Sequence, residues 1–249
     1  MSGHSKWSTI HRQKEAADQK RGAMFTKIAN AIIVAVRSGG GVTDPELNFK
    51  LRLAIEKARS VNMPKENIQR AIDRAVGKTE GGAFEEIVYE GYGPGGVGYL
   101  IEAATDNRQR TIQEIKNIFD RSGGTIASPG AVSFNFKKMG LITIEKTLPV
   151  DELILKVIDL GAEDVEEEDE VLEVYTLPEK LMEVKKNLEE AGIQPKTVEM
   201  VQRPVNFVLV SDQKVAQQNL SLMEKLEGMD DVQKVYANFD IPDELIAVN

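Results

Sequence analysis

The sequence predicts an α+β protein, and three observations carry that prediction. The apolar spacing is helical up to about residue 78 and afterwards becomes an alternation of short strand-like runs and single helices. Each later helix ends on glycine and is followed by a β-rich run, the cadence of helices laid on antiparallel sheets. Charge changes at the same place as the period. Residues 1–78 carry fifteen basic and seven acidic side chains, a net of +8, whereas residues 79–249 carry sixteen and thirty-three, a net of −17.

The first part reads as four short amphipathic helices. Ser8 is a plausible N-cap for a polar helix reaching Arg21, where Gly22 punctuates the chain. Phe25, Ile28, Ala29, Ile32 and Val36 then recur at helical spacing and stop at Ser38-Gly39-Gly40-Gly41. Asp44-Pro45 begins a third helix with Leu47, Leu51, Ala54, Ile55 and Ala58 on one face. Pro64 opens a fourth, which turns Ile68, Ala71, Ile72 and Ala75 inward.

Strands follow. Ile87–Tyr89 and Val97–Ile101 flank the turn Gly91-Tyr92-Gly93-Pro94-Gly95-Gly96, a hairpin that needs positive φ. It is not a phosphate loop, because it lies between strands and lacks the Lys-Ser/Thr pair. A helix over 107–122 and a strand at Val132–Phe136 come next. Residues 139–204 then complete β-α-β-β-α-β, the ferredoxin-like order, and 205–249 supply a last β-α-β. Every strand is used if 79–138 joins 205–249 as one ferredoxin-like unit. The acidic unit 139–204, net −10, is then inserted within it, after the basic helical unit 1–78.

Composition excludes several functions. With no cysteine there is no disulfide, thiol nucleophile or Cys-based zinc site. His4 and His11 have no third and fourth ligand in their segment, so no metal is expected, and neither histidine has a nucleophile to serve. The Glu166–Glu170 run lacks the spacing and central glycine of a calcium loop. No cofactor, small-molecule substrate or membrane partner is expected. The start of the chain shows no signal-peptide pattern, so a cytoplasmic location is expected. The reading is non-enzymatic, and a hydrolase or nuclease stands only as a remote alternative.

A basic start on an acidic chain points to nucleic acid. The candidate contacts are Lys6, His11, Arg12, Lys14, Lys20, Arg21 and Lys27, each lysine or arginine able to neutralise a phosphate. Trp7 is assigned to the bundle core. A second candidate is Asp106-Asn107-Arg108-Gln109-Arg110-Thr111. There Asp106 or Asn107 caps a helix whose free N–H groups, with Arg108 and Arg110, could clamp phosphate. At −10, the inserted unit would be turned away from nucleic acid and toward a protein partner.

Five motifs taken together resemble one family. They are Met1-Ser2-Gly3-His4-Ser5-Lys6-Trp7, Lys20-Arg21-Gly22, Asn62-Met63-Pro64, Tyr89 to Gly96, and Thr105 to Thr111. In that order they are similar to the YebC/PmpR family, whose relatives include the mitochondrial translational activator of cytochrome c oxidase subunit one. The resemblance runs nearly end to end. It implies three domains and a regulator of gene expression, either a DNA-binding transcriptional regulator or a ribosome-associated RNA-binding translation factor that eases synthesis through proline runs. Departures at Ile10–Lys14, Ala23, Lys116-Asn117 and Pro129 thin the positive charge relative to the family's usual pattern.

Overall fold

The structure, a computed structural model, describes residues 20–77, 84–147, 149–168, 170–242 and 245, with Lys20 and Arg21 described by their backbone. Within them lie seven α-helices and two four-stranded antiparallel sheets, the α+β class expected. The first expected helix lies outside the described residues.

Helix α1 (Lys20–Ser38) runs straight through Gly22, which therefore does not break it. A helix-interior glycine costs only about 1 kcal/mol against alanine, and Thr26 donates back to the Gly22 carbonyl at 3.1 Å. Ile28, Ile32, Ile33 and Val36 are buried, with Phe25 and Ala29 packed at the margin. Helix α2 (Phe49–Ser60) starts later than Asp44-Pro45 suggested. Asp44 is taken up in a local turn, accepting from the Glu46 N–H at 2.9 Å. Asn48 is the actual cap, accepting from the Leu51 N–H at 3.1 Å. Leu47 consequently sits before the helix and is 78 % exposed. The Asn48 amide also donates to the carbonyls of Ala35 at 2.9 Å and Val42 at 3.0 Å, tying the connecting loop to α1. A Cβ on Gly39 would fall 2.4 Å from that amide, so the close approach requires glycine. Helix α3 (Lys65–Ala75) buries the four residues expected, Ile68, Ala71, Ile72 and Ala75.

The first sheet begins with the hairpin β1 (Glu85–Tyr92) and β2 (Gly98–Thr105). Its turn is a short 3₁₀ segment, Pro94–Gly96, with Gly95 at φ 76° and Gly96 at φ 78°. Asn219 holds that turn by donating to the Pro94 carbonyl at 2.9 Å while accepting from Tyr99 Oη at 2.9 Å. Helix α4 (Arg108–Arg121) leads to β3 (Thr125–Ala127), which pairs with β1. The far edge is β9 (Val232–Ala237), beside β2, so the order is β3-β1-β2-β9. Helices α4 and α7 (Gln213–Glu227) share one core with the sheet, around Tyr99, Ile101, Ile115, Phe119, Leu222 and Leu226.

Two expected strands of this region change. Val132–Phe136 is a 3₁₀ turn at Ser133–Asn135, not a strand. The reason is the buried Glu90 carboxylate, which accepts from the N–H groups of Gly130 (2.7 Å), Val132 (2.6 Å) and Ser133 (2.9 Å) and so removes them from any ladder. The 206–210 run contributes only β8 (Val208–Leu209), paired in parallel with β10 (Phe239–Asp240) as a separate ribbon.

The second sheet is built wholly between these pieces. It comprises β4 (Phe136–Glu145), β5 (Asp164–Glu167), β6 (Val171–Thr176) and β7 (Pro195–Pro204), in the order β5-β6-β4-β7. Helices α5 (Val150–Asp159) and α6 (Leu181–Glu190) cover it, burying Leu153, Val157, Leu181, Val184 and Leu188 against Ile142, Ile144, Leu172 and Val174. The residue pair Phe136–Pro204 closes the entry and exit of this region against each other.

The three cores touch. Phe84 and Ala104 of the first sheet region are buried in the helical core. Lys185 of α6 reaches Glu56 of α2 at 3.4 Å. Lys234 of β9 donates to Glu199 Oε2 at 2.7 Å and to the Met200 carbonyl at 2.6 Å on β7.

Candidate nucleic-acid interface

Lys6, His11, Arg12 and Lys14 lie outside the described residues, as do His4 and Trp7. Lys20 and Arg21 form the first turn of α1, with only their backbone described. Lys27 is half-buried one turn further on, and its ammonium donates to the Glu227 carbonyl at the end of α7. It therefore holds the helical part to the sheet.

The start of α4 has the capping geometry its sequence suggested. Asn107 Oδ1 accepts from the Arg110 N–H at 3.1 Å, and the Asn107 N–H donates to Thr105 Oγ1 at 2.9 Å. Its two arginines have different surroundings. Arg108 is exposed and, among the described residues, has no carboxylate partner. Arg110 is bonded to Asp231 at 2.8 Å and to Asp106 at 3.2 Å. Asp231 Oδ2 also lies 2.6 Å from Thr111 Oγ1 and 3.1 Å from Thr105 Oγ1. Burial opposes ionisation of Asp231, but the bonds from Arg110 and Thr111 outweigh it and hold its carboxyl below the usual aspartate range. A hollow of about 400 Å³ beside this network is lined by Asp106, Glu114, Asp230 and Asp231 against Arg74 and Arg110. Its carboxylates outnumber its cations, so it repels phosphate.

A different cluster of cations lies outside any such network. Lys57 and Arg59 lie in the last turns of α2, Lys65 opens α3, and Arg70 follows one turn later. All four are exposed, and none has an ion pair among the described residues. The α2–α3 connection brings the first three to one tip, where the chain turns through Asn62 at φ 57°. Motif reading passed over this tip, yet the signal was present, since the stretch from Lys57 to Lys65 contains three cations and no acid.

Among the described residues no helix is long and apolar enough to cross a membrane, and no group of three or more His, Asp or Glu side chains could hold a metal.

Comparison with known proteins bears on the whole chain. Two family models match it in order, the TACO1/YebC protein N-terminal domain over residues 5–78 and the TACO1/YebC second and third domain over residues 84–239. A protein of Syntrophomonas wolfei named "Probable transcriptional regulatory protein" is 49% identical over 250 residues, covering 99% of each chain. One of the same name from Chloroflexus aurantiacus is 53% identical over 250 residues, covering 99% of this chain and 98% of its own. These relatives are named as regulatory proteins and not as enzymes. In three dimensions the chain is similar to the crystal structure of a conserved hypothetical protein from Aquifex aeolicus, with a TM-score of 0.85 at 44% identity over 93% of this chain and 94% of that one. With the helical part and both sheet regions each matched, and relatives aligned from end to end, the chain belongs to the TACO1/YebC family.

Proposed function

We propose that this chain is a non-enzymatic, nucleic-acid-binding regulator of gene expression, acting on DNA in the transcriptional role for which its relatives are named. The observation that carries the reading is the segregation of charge. The exposed, unpaired cations of the helical region (Lys57, Arg59, Lys65 and Arg70) face solvent on a protein whose remaining sequence is strongly acidic. We assign phosphate contact to these four, to Arg108, and to Lys6, His11, Arg12, Lys14, Lys20 and Arg21. Lys27, Asn107 and Arg110 we assign to holding the fold, because each is engaged within the molecule. The proposal divides the chain at 1–78, at 79–138 with 205–249, and at 139–204, with the acidic last unit facing a protein partner in the cytoplasm.

One observation favours a second reading, a translation factor on ribosomal RNA. The exposed face of α3 sets Glu66 and Asp73 beside Arg70, and Gln69 is bonded to Asp73 at 3.2 Å. A helix reading bases in a groove would not place two carboxylates among the phosphates. A basic tip gripping structured RNA by shape has no such conflict.

The test is a salt titration of binding for wild type and for the triple variant Lys57→Gln, Arg59→Gln, Lys65→Gln. Its log–log slope should be shallower by about 2.7 on duplex DNA and about 2.1 on a single strand. An unchanged slope would remove the tip from the interface. Crosslinking in cell lysate, with sucrose gradients run before and after nuclease, separates the two roles. Ribosomal RNA crosslinks support the translation reading, and a discrete promoter footprint supports the transcriptional one.

A further inference from the structure

Two connections join the sheet regions, one outward through Ser133–Phe136 and one returning through Pro204–Leu209. They are fastened side by side. The Val205 N–H donates to the Asn135 carbonyl at 2.7 Å, Asn206 Nδ2 reaches Asn135 Oδ1 at 3.3 Å, and Asn238 Nδ2 donates to the Asn206 carbonyl at 2.9 Å. Glu90 pins the outward connection from beneath through Val132 and Ser133. On this braced ridge stand two aromatic rings in solvent, Phe134 at 70 % exposure and Phe207 at 44 %. Two ring faces on neighbouring connections are thus left open to solvent.

The charge beside these rings is positive. Lys137 and Lys138 are both exposed, and among the described residues neither meets a carboxylate within ion-pair distance. Strand alternation turns the two lysines to opposite faces of β4. Lys138 shares with Phe207 the wall of a cleft of about 820 Å³ that also reaches Lys57 of the basic tip. Of the seven acids lining that cleft, Glu86 pairs with Lys50, Glu166 with Arg203 and Glu199 with Lys234, Glu102 accepts from Gln202 and Glu173 from Tyr175, while Glu224 is exposed and has no ion pair among the described residues.

We infer that Phe134, Phe207 and Lys138 form a stacking platform for an unpaired stretch of nucleic acid. The two rings each take the face of one base, and the lysine takes the phosphate between them. Exposed rings with an unpaired cation fit a strand that carries both flat apolar faces and negative charge, whereas a purely apolar protein surface would leave Lys138 without a partner. The inference rests on the nucleic-acid reading above, and it adds that the second contact takes single strands.

Fluorescence anisotropy with a labelled twelve-nucleotide oligouridylate and with a matched duplex tests this. The pair Phe134→Ala, Phe207→Ala should lose about tenfold or more in affinity for the single strand and keep duplex affinity within about twofold. Lys138→Gln should make the single-strand salt slope shallower by about 0.7, while Lys137→Gln leaves it unchanged. Circular dichroism should match wild type throughout, since all four side chains lie at the surface. Unchanged single-strand affinity in the double variant overturns the platform and leaves the tip reading standing. If the double variant instead abolishes self-association in sedimentation, with single-strand affinity unaltered, the ridge is a contact between copies and the platform is overturned. Failure of wild type to bind either oligonucleotide overturns the proposed function together with the platform.

Discussion

At the scale of single residues, two carboxylates do much of the organising. Glu90 is 6 % exposed and carries three backbone N–H bonds. Burial alone would raise its pKa, but the N–H bonds from Gly130, Val132 and Ser133 outweigh it and hold the carboxyl below the usual glutamate range. A depressed folded pKa contributes stability that is complete above the unfolded value of about 4.3 and is lost as pH falls through the folded value. Acid titration of stability should therefore show a loss below about pH 4 that Glu90→Gln reduces, with the part due to Asp231 remaining. At pH 7 the same variant should be less stable by about 2 kcal/mol in urea unfolding, since hydrogen bonds to a charged acceptor are replaced by weaker ones. Asp231 has the opposite relation to function, because it occupies the guanidinium of Arg110. Asp231→Asn should leave that guanidinium only its weaker partner Asp106, at 3.2 Å, and tighten nucleic-acid binding a few-fold at low salt, as read by anisotropy. Unaltered affinity would place Arg110 outside the reach of the ligand altogether.

At the scale of elements, legibility followed locality. Helix α3 could be read in full, since Ile68, Ala71, Ile72 and Ala75 owe their burial to spacing within eleven residues. Helix α2 was misplaced at its start because Asp44 was read as its beginning, whereas the fold puts the cap four residues later at Asn48. Asn48 wins because its amide reaches two carbonyls of the preceding segment. Asn48→Ala should thus cost more than an ordinary cap, about 2 kcal/mol against the usual ~1, and lower the melting temperature by roughly 4–8 °C in calorimetry. The lost strand at 132–136 has the same origin. Its N–H groups are claimed by a side chain some forty positions earlier, and no local pattern announces that. The site divides along this line too. The Asn107 cap is a local bond and was visible, whereas the pairing of Arg110 with Asp231 spans 121 positions and was not.

For the whole molecule, the question is what makes three cores act as one body. Ala104 of β2 is fully buried in the core of the helical region, and Arg37 of α1 donates to the Phe84 carbonyl at 3.0 Å. Ala104→Arg would place an unpaired charge in that seam at a cost of several kcal/mol. The helical region should then separate from the sheets, with a larger radius of gyration in small-angle scattering and near-native circular dichroism. An unchanged radius would show that the polar bridges alone suffice. Charge is likewise a property of this scale, because the +8 and −17 halves were plain from the sequence, but which cations remain unpaired depended on the assembled surface.

The order of the strands also sets a timetable. The first sheet's last strand, β9, is made long after its neighbour β2, with 126 residues between Thr105 and Val232. At a synthesis rate of ~5–20 residues per second, the β2 edge waits roughly 6–25 s for its partner. The second sheet, whose strands all fall between residues 136 and 204, can close in that interval. During every round of synthesis the nascent chain therefore carries one finished sheet beside one with an open hydrophobic edge at Leu100 and Ile101, and that interval is when the molecule most needs a chaperone.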